Sequence, residues 1–343
     1  MGNKTIAIDA MGGDHGPPVT VGAAQLALNE FPDLELVLVG NREALEAEVA
    51  RLQLGAESRL RIHHASEVVG MDESPALALK KKKDSSMRVA IDLVRDGTVQ
   101  ACVSAGNTGA LMATSKFVLK TIRGISRPAI CTALPGIHGH THMLDLGANV
   151  ECEAENLAEF ALMGSVLAQS VEGINNPSIG LLNIGSEAIK GSELIKRASQ
   201  LIAESGLNYQ GFVEGDDIYT GKVNVIVTDG FVGNVSLKTG EGVAALVNHV
   251  LKSEFRRNWF TRLCAVCAWP VMASVKRKLD PRQYNGASLL GLNGIVIKSH
   301  GGADVSSYLN AIRIASIEVD KDVPQRISRV IENHFSQAEE AIS

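Results

Sequence analysis

Apolar runs of four to seven residues alternate with stretches of helical periodicity along the chain, and a glycine-bearing turn follows most of the runs. TIAIDA (5–10) passes through MGGDHGP into a helix predicted from about Val19 to Asn29; Pro17 and Pro18 suit its first turn, where no N–H is needed. LELVLVG (34–40) is apolar at both alternating sets of positions, the pattern of a strand buried on two faces, and precedes a helix from about Arg42 to Leu52. The pattern repeats. VQACVSAGNTG (99–109) leads into a helix ending near Lys120, HMLDLGANVEC (142–152) into one ending near Val171, and SIGLLNIGSEAIKG (178–191) into one reaching about Ser205. VNVIVTDGFVGN (223–234) precedes a helix from about Val235, and GIVIKSHGG (294–302) one from about Asp304 to Asp320. Such strand–turn–helix units build an α/β fold with a mainly parallel sheet. In a parallel sheet these turns open at the carboxyl ends of the strands, so the glycine turns are expected to share one rim, where ligands bind.

Two regions break the pattern. Glu73 to Ser86 contains KKKKDSS (80–86), with Asp84 or Ser85 placed to cap a helix through Arg95. The second, 252–282, carries both tryptophans. No linker, low-complexity segment or fixed-period repeat separates the chain, so 1–343 is expected to form one unit, any second lobe interwoven with the first.

The formal charge of −5 argues against a whole-protein grip on nucleic acid, and no nucleic-acid partner is expected. No apolar stretch approaches 18 residues and the start lacks an apolar signal core, so a cytoplasmic location is expected. Five scattered cysteines read as free thiols.

Backbone N–H groups at glycine-rich helix starts hold anions, and several such turns together suggest phosphate. Ser104, Asn107, Thr108 and Asn234 add neutral donors, and Lys82, Lys83, Lys190 and Lys298 positive charge. GxGxxG, GxxxxGK[ST] and GxSxG are all absent, which removes support for dinucleotides, nucleoside triphosphates and a serine nucleophile; no cofactor is expected. HGHTH puts His138, His140 and His142 on one face if it is a strand, a spacing that suits Zn²⁺, but a solvated edge or loop is the stronger reading and no metal is assigned. Cys264 and Cys267, one helical turn apart, read as small apolar helix residues.

Eight basic against two acidic residues give 252–282 a formal +6, leaving −11 elsewhere. Leu251, Phe255, Trp259, Leu263 and Val266 recur every three or four residues, and the uncharged run 263–275 is too short to span a bilayer. Pro270 is expected to kink or split the helix. Arg256, Arg257, Trp259, Arg262, Trp269, Lys276, Arg277 and Lys278 suit a protruding helical segment that meets anionic lipid or an acidic partner.

IDAMGGDHGP (8–17), KKDSSM (82–87), VSAGNTGALMA (103–113), LDLGANVEC (144–152), NIG (183–185) with Lys190-Gly191, VTDGFVGNVSLKTGEG (227–242) and YNGASLLGLNGIVIKSHG (284–301) together resemble the bacterial PlsX phosphate acyltransferases. The resemblance implies transfer of a long acyl chain from acyl carrier protein to inorganic phosphate, giving acyl phosphate for phospholipid synthesis. It implies a homodimer with a three-layer α/β/α fold similar to phosphotransacetylases and isopropylmalate dehydrogenases. It also implies peripheral attachment to the inner face of the cell membrane, with a membrane glycerol-3-phosphate acyltransferase downstream. Ser186 departs from the pattern, where a second acidic residue is expected.

Phosphate attack on a thioester builds charge on an oxyanion beside an anionic nucleophile, so the site needs N–H donors and cations more than a base. Ser104, Asn107, Thr108, Asn149 and Asn234 are the candidate phosphate or oxyanion donors. Lys82, Lys83 and Lys190 would neutralise charge, Asp229 would orient a lysine or Asn234, and His300 is the best histidine candidate. The alternatives are a short-chain phosphotransacetylase using coenzyme A, a metal-dependent 2-hydroxyacid dehydrogenase of related fold and a non-catalytic, membrane-tethered carrier-binding scaffold. The basic-aromatic segment opposes the first, and the missing arginine-rich and aspartate clusters oppose the second.

Overall fold

The computed structural model describes residues 4–54, 57–278 and 281–340. Its first half contains β1 (Lys4–Asp9), α1 (Pro17–Glu30), β2 (Leu34–Gly40), α2 (Arg42–Arg51), β3 (Leu60–His64), α3 (Pro75–Lys81), α4 (Ser86–Arg95), β4 (Ala101–Ser104), α5 (Thr108–Leu119), β5 (Ala129–Gly136), β6 (Gly139–Leu144) and α6 (Ala154–Glu172). There follow β7 (Ile179–Leu182), α7 (Glu193–Glu204), β8 (Tyr209–Val213), β9 (Val225–Val227), α8 (Gly230–Arg256), α9 (Trp259–Lys278), β10 (Ala287–Leu290), β11 (Ile295–Lys298), α10 (Val305–Lys321) and α11 (Val323–Glu340).

Alternation along the strands builds the layers. In β1, Ile6 and Ile8 face α1 and α10 while Ala7 faces the opposite layer with Met87, Ile91 and Leu111 of α4 and α5. In β6, Leu144 packs against α6 while Met143 joins the α4–α5 face. One sheet is therefore covered by helices on both sides, a three-layer α/β/α arrangement.

The eleven strands run in the order β3-β2-β1-β4-β11-β10-β5-β6-β9-β7-β8. β3, β2, β1, β4 and β11 are parallel to one another, as are β6, β9, β7 and β8. Antiparallel pairings of β10 with β11 and β5, and of β5 with β6, reverse the second group relative to the first. This corrects the expectation of a single rim: the turns after β1, β4 and β11 leave one edge of the sheet, and those after β6, β9 and β7 the opposite edge.

α8 begins at Gly230, five residues before the expected start, because the Asp229 side chain caps it. α9 runs through Pro270 without a break, and the separation from α8 falls at Arg257–Asn258 instead. The carbonyl that Pro270 cannot bond belongs to Val266, a residue 71% exposed, so water can satisfy it. Cys264 and Cys267 lie on α9, where both are exposed free thiols. HGHTH is not a solvated edge: β6 lies between β5 and β9, and His142 is buried, although His138 is exposed in the turn before. Among the described residues no helix is long and apolar enough to cross a membrane.

Candidate active site

Three adjacent strands end on three polar residues in register: Asp9 of β1 pairs with Ser104 of β4, and Ser104 with Lys298 of β11. Registered neighbours point to the same face, here the α4–α5 layer. The Ser104 hydroxyl donates to Asp9 Oδ2 at 2.6 Å and accepts from the Gly106 amide at 3.1 Å. Asp9 is fully buried and burial pushes its carboxyl up, a shift opposed by the Ser104 and Ser86 hydroxyls and the Met11 and Gly12 amides. A side chain at Gly12 would collide with the Asp9 carboxylate and the Gly106 backbone amide, so glycine there is what lets the two turns close over the aspartate.

Lys298 is 9% exposed. Its ammonium donates to the Ala105 carbonyl at 3.4 Å and to that of Ser299, and among the described residues no carboxylate comes within ion-pair distance. Burial lowers its pKa to about 8, against the fields of Asp9 and Asp14; Lys238 of α8 adds to the lowering. That coupling brings α8, which starts at the opposite edge, close to this cluster. Asp14 is held by its amide on the Gly301 carbonyl. His300, exposed, accepts from the Gly302 amide at Nδ1, which leaves Nε2 to carry the proton outward.

α5 opens beside this cluster. Asn107 caps it by accepting from the Ala110 amide, and its own amide donates to the Met71 and Glu73 carbonyls. The side chains of Asn107 and Ser104, expected as phosphate or oxyanion donors, both bond to the scaffold here. Thr108 is exposed at the first position of α5, where the Thr108 and Gly109 amides lie outside the intrahelical ladder. Lys82 pairs with Glu73 at 2.6 Å and donates to the Val68 carbonyl, bracing the segment that Asn107 holds, while Lys83 is exposed.

The second cluster centres on Asp145, fully buried after β6. It accepts from the amides of Ile130, Gly147, Ala148 and Asn149 and from the Asn149 side chain, all at 2.7–3.2 Å; burial nonetheless pushes it up. The rest of the Asn149 amide, expected as a phosphate or oxyanion donor, is spent on the Pro128 carbonyl. A Cβ at Gly230 or Gly233 would collide with the Asp145 and Asn149 region. Asp229, expected to orient a lysine or Asn234, accepts from the Val232 amide as a helix cap, and among the described residues no hydrogen bond joins it to either. Asn234 is exposed, beside Gly147. Lys190, after β7, is exposed and meets Glu187 at 3.6 Å.

Electrostatics separates the clusters. The first pairs a buried cation, in the field of Asp9 and Asp14, with a helix start capped by a neutral asparagine; the second has an aspartate cap at its helix start and, among the described residues, no buried lysine. Sequence reasoning missed Asp9, Asp14, Asp145 and Lys238, and left Lys298 out of its final set. The strand endings of IDAMGG, VSAGN and VIKSHGG held the signal, but only register shows that they meet.

The hairpin of α8 and α9 leaves Val243, Leu246, Val250, Trp259, Leu263 and Trp269 exposed. Arg256 and Arg262 are exposed beside them, and Arg257 is exposed with Glu254 at 3.2 Å. The side chains of Lys276, Arg277 and Lys278 lie outside the described residues.

A family model described as fatty acid synthesis protein matches residues 4–326. A phosphate acyltransferase from Nitrosococcus oceani is 58% identical over 337 residues, with 98% of each chain covered. The fold is similar to a phosphotransacetylase from Streptococcus pyogenes, with a TM-score of 0.63 and 16% identity over 93% of this chain and 94% of that one. EutD phosphotransacetylase from Staphylococcus aureus gives a TM-score of 0.62 at 16% identity, covering 92% and 94%.

Proposed function

The chain belongs to the fatty acid synthesis protein family and is a phosphate acyltransferase, and on that premise we propose that it transfers a long fatty acyl group from acyl carrier protein to inorganic phosphate, producing acyl phosphate for phospholipid synthesis. The observation that carries the placement of phosphate is Lys298, a buried amine at the end of β11 with no ion-pair partner among the described residues. With its pKa near 8 it is mostly cationic at neutral pH.

In this reading phosphate rests between Lys298 and the start of α5, where the Thr108 hydroxyl and the Thr108 and Gly109 amides donate to it. A phosphate oxygen attacks the thioester carbonyl, an oxyanion forms and the carrier thiolate leaves. A thiol pKa near 8.5 makes that departure easy without a strong general acid. Positioning and fixed donors therefore supply most of the acceleration. His300, with its Nε2 proton, would donate to the oxyanion or to the leaving sulfur. Asp9 and Ser104 hold the turn rather than touch substrate. Lys83, Lys190 and Asn234 are exposed and remain candidates for contacts with phosphate or the acyl carrier, while Lys82 is held by Glu73.

The α8–α9 hairpin supports the carrier end of the reading: exposed tryptophans and leucines beside arginines fit an acidic protein and a long acyl chain better than a small thiol ester. The same exposed apolar face would serve a homodimer contact or a peripheral hold on the inner membrane surface, where a glycerol-3-phosphate acyltransferase would receive the product. The chain then acts as one catalytic unit at the cytoplasmic side.

The test is phosphate-dependent release of carrier thiol from palmitoyl–acyl carrier protein, with the product identified by mass spectrometry. Release that requires phosphate and gives acyl phosphate is expected. Better use of short acyl–coenzyme A would replace the reading with a short-chain phosphotransacetylase, and binding without release with a carrier scaffold.

A further inference from the structure

Two histidines and a glutamate converge away from the turns described above. His140 and His142 lie two apart on β6 and so share its α6-facing side with Leu144, while Glu172 is the last residue of the 19-residue α6. Both imidazoles present Nε2 to one carboxylate oxygen, Glu172 Oε1, at 2.7 Å from His140 and 3.4 Å from His142. The three candidate ligand atoms all lie within 4.8 Å of one another. The rings stand edge to face, their centroids 5.6 Å apart, so neither blocks the other's approach to a common point.

We propose that His140, His142 and Glu172 form a binding site for a divalent zinc ion. Two imidazole nitrogens and one carboxylate oxygen are a three-ligand set that Zn²⁺ accepts, with water in the fourth position. Zinc–ligand bonds of about 2.0–2.2 Å put tetrahedral donors roughly 3.3 Å apart; the 3.4 Å pair already fits, and the 2.7 Å pair, now a hydrogen bond, would have to open. The backbone is fixed on both sides: β6 is bonded between β5 and β9, and Gly173, left-handed at φ 72°, ends α6 directly after Glu172. The negative end of the helix dipole also favours a cation there. His142 is buried, whereas His140 and Glu172 are 35% and 26% exposed, which gives an ion a path from solvent. His138, exposed in the turn between β5 and β6, is not part of the group. The group lies at the amino end of β6 and Asp145 follows its carboxyl end, so zinc would clamp the end of α6 to the β5–β6 hairpin and take no part in acyl transfer.

The experiment is zinc titration of the full-length, chelator-stripped chain by calorimetry, with bound metal counted after equilibrium dialysis. The expected result is one zinc per chain, an affinity lowered about 100-fold or more in His140→Ala and in Glu172→Gln, and a zinc-dependent rise in melting temperature that both variants lose. Cys264→Ser with Cys267→Ser, which removes the exposed thiols as rival ligands, should leave that site intact. Circular dichroism of each variant, with His140 only partly buried and Gln isosteric with Glu, separates ligand loss from misfolding. No stoichiometric uptake, uptake unchanged in His140→Ala and Glu172→Gln, or uptake abolished only by the cysteine changes would overturn the assignment.

Discussion

The two aspartate-centred turns, Asp9 at the end of β1 and Asp145 just beyond the end of β6, use the same parts for different ends. Each is buried, each has glycines pressed against it, and each lies beside a helix start. Asp145 is saturated by five donors and the helix beside it carries a carboxylate cap, so that turn is a rigid mount. Asp9 accepts from Ser104 at Oδ2, its Oδ1 makes no hydrogen bond of ordinary geometry, and a buried lysine lies two strands away. A fully satisfied buried polar group gives rigidity; at the Asp9 turn it is the desolvated Lys298 cation, and not the carboxylate, that would attract an anion.

The contrast can be broken most strongly at the mount. Asp145→Asn replaces a pure acceptor with a group that presents N–H to N–H, and the expected loss is about 3–5 kcal/mol of stability, read by urea denaturation. Ser104→Ala should cost about 2 kcal/mol by the same measurement, because it removes one charge-assisted bond and leaves Asp9 less satisfied.

A pH profile sharpens the contrast further. Burial lowers the Lys298 pKa to about 8, so the side chain is cationic below that pH and neutral above it. The expected kcat/KM for phosphate falls about tenfold per pH unit above 8, and Lys298→Arg flattens that limb. Unfolding does not explain such a fall. Between about 8 and 10.5 the unfolded chain binds more protons at this lysine than the folded one, so its contribution to stability rises with pH as activity declines.

The smallest effect is expected at the hairpin. Changing Arg256, Arg257 and Arg262 to Gln should raise KM for acyl–acyl carrier protein about tenfold at low salt, with the gap closing at high ionic strength. An unchanged KM at low salt would remove the arginines from carrier recognition.

Strands followed by a glycine turn and a helix, such as β1, β4 and β11, were legible because apolar runs and turn residues are local signals. β5 and β10 were not: AICTALPG contains Pro135 and returns through a hairpin, and ASLL is too short to announce itself. The reversal of the sheet was invisible for a related reason, since periodicity carries no strand direction. At the site, Ser104, Asn107 and Asn149 were found as polar residues in glycine turns, yet their bonds to Asp9, Glu73 and Pro128 depend on segments 21 to 95 residues away. Lys298 stood level with Lys82, Lys83 and Lys190 as a candidate cation until register put it beside Ser104.

The most direct test compares the phosphate dependence of acyl phosphate formation in Lys298→Met and Asn234→Ala, one variant from each cluster, with palmitoyl–acyl carrier protein held saturating. Phosphate held at the Asp9 turn predicts a loss of about 10²–10³ in kcat/KM for phosphate with Lys298→Met and less than about tenfold with Asn234→Ala. The reverse ranking would move phosphate to the Asp145 turn and contradict the account.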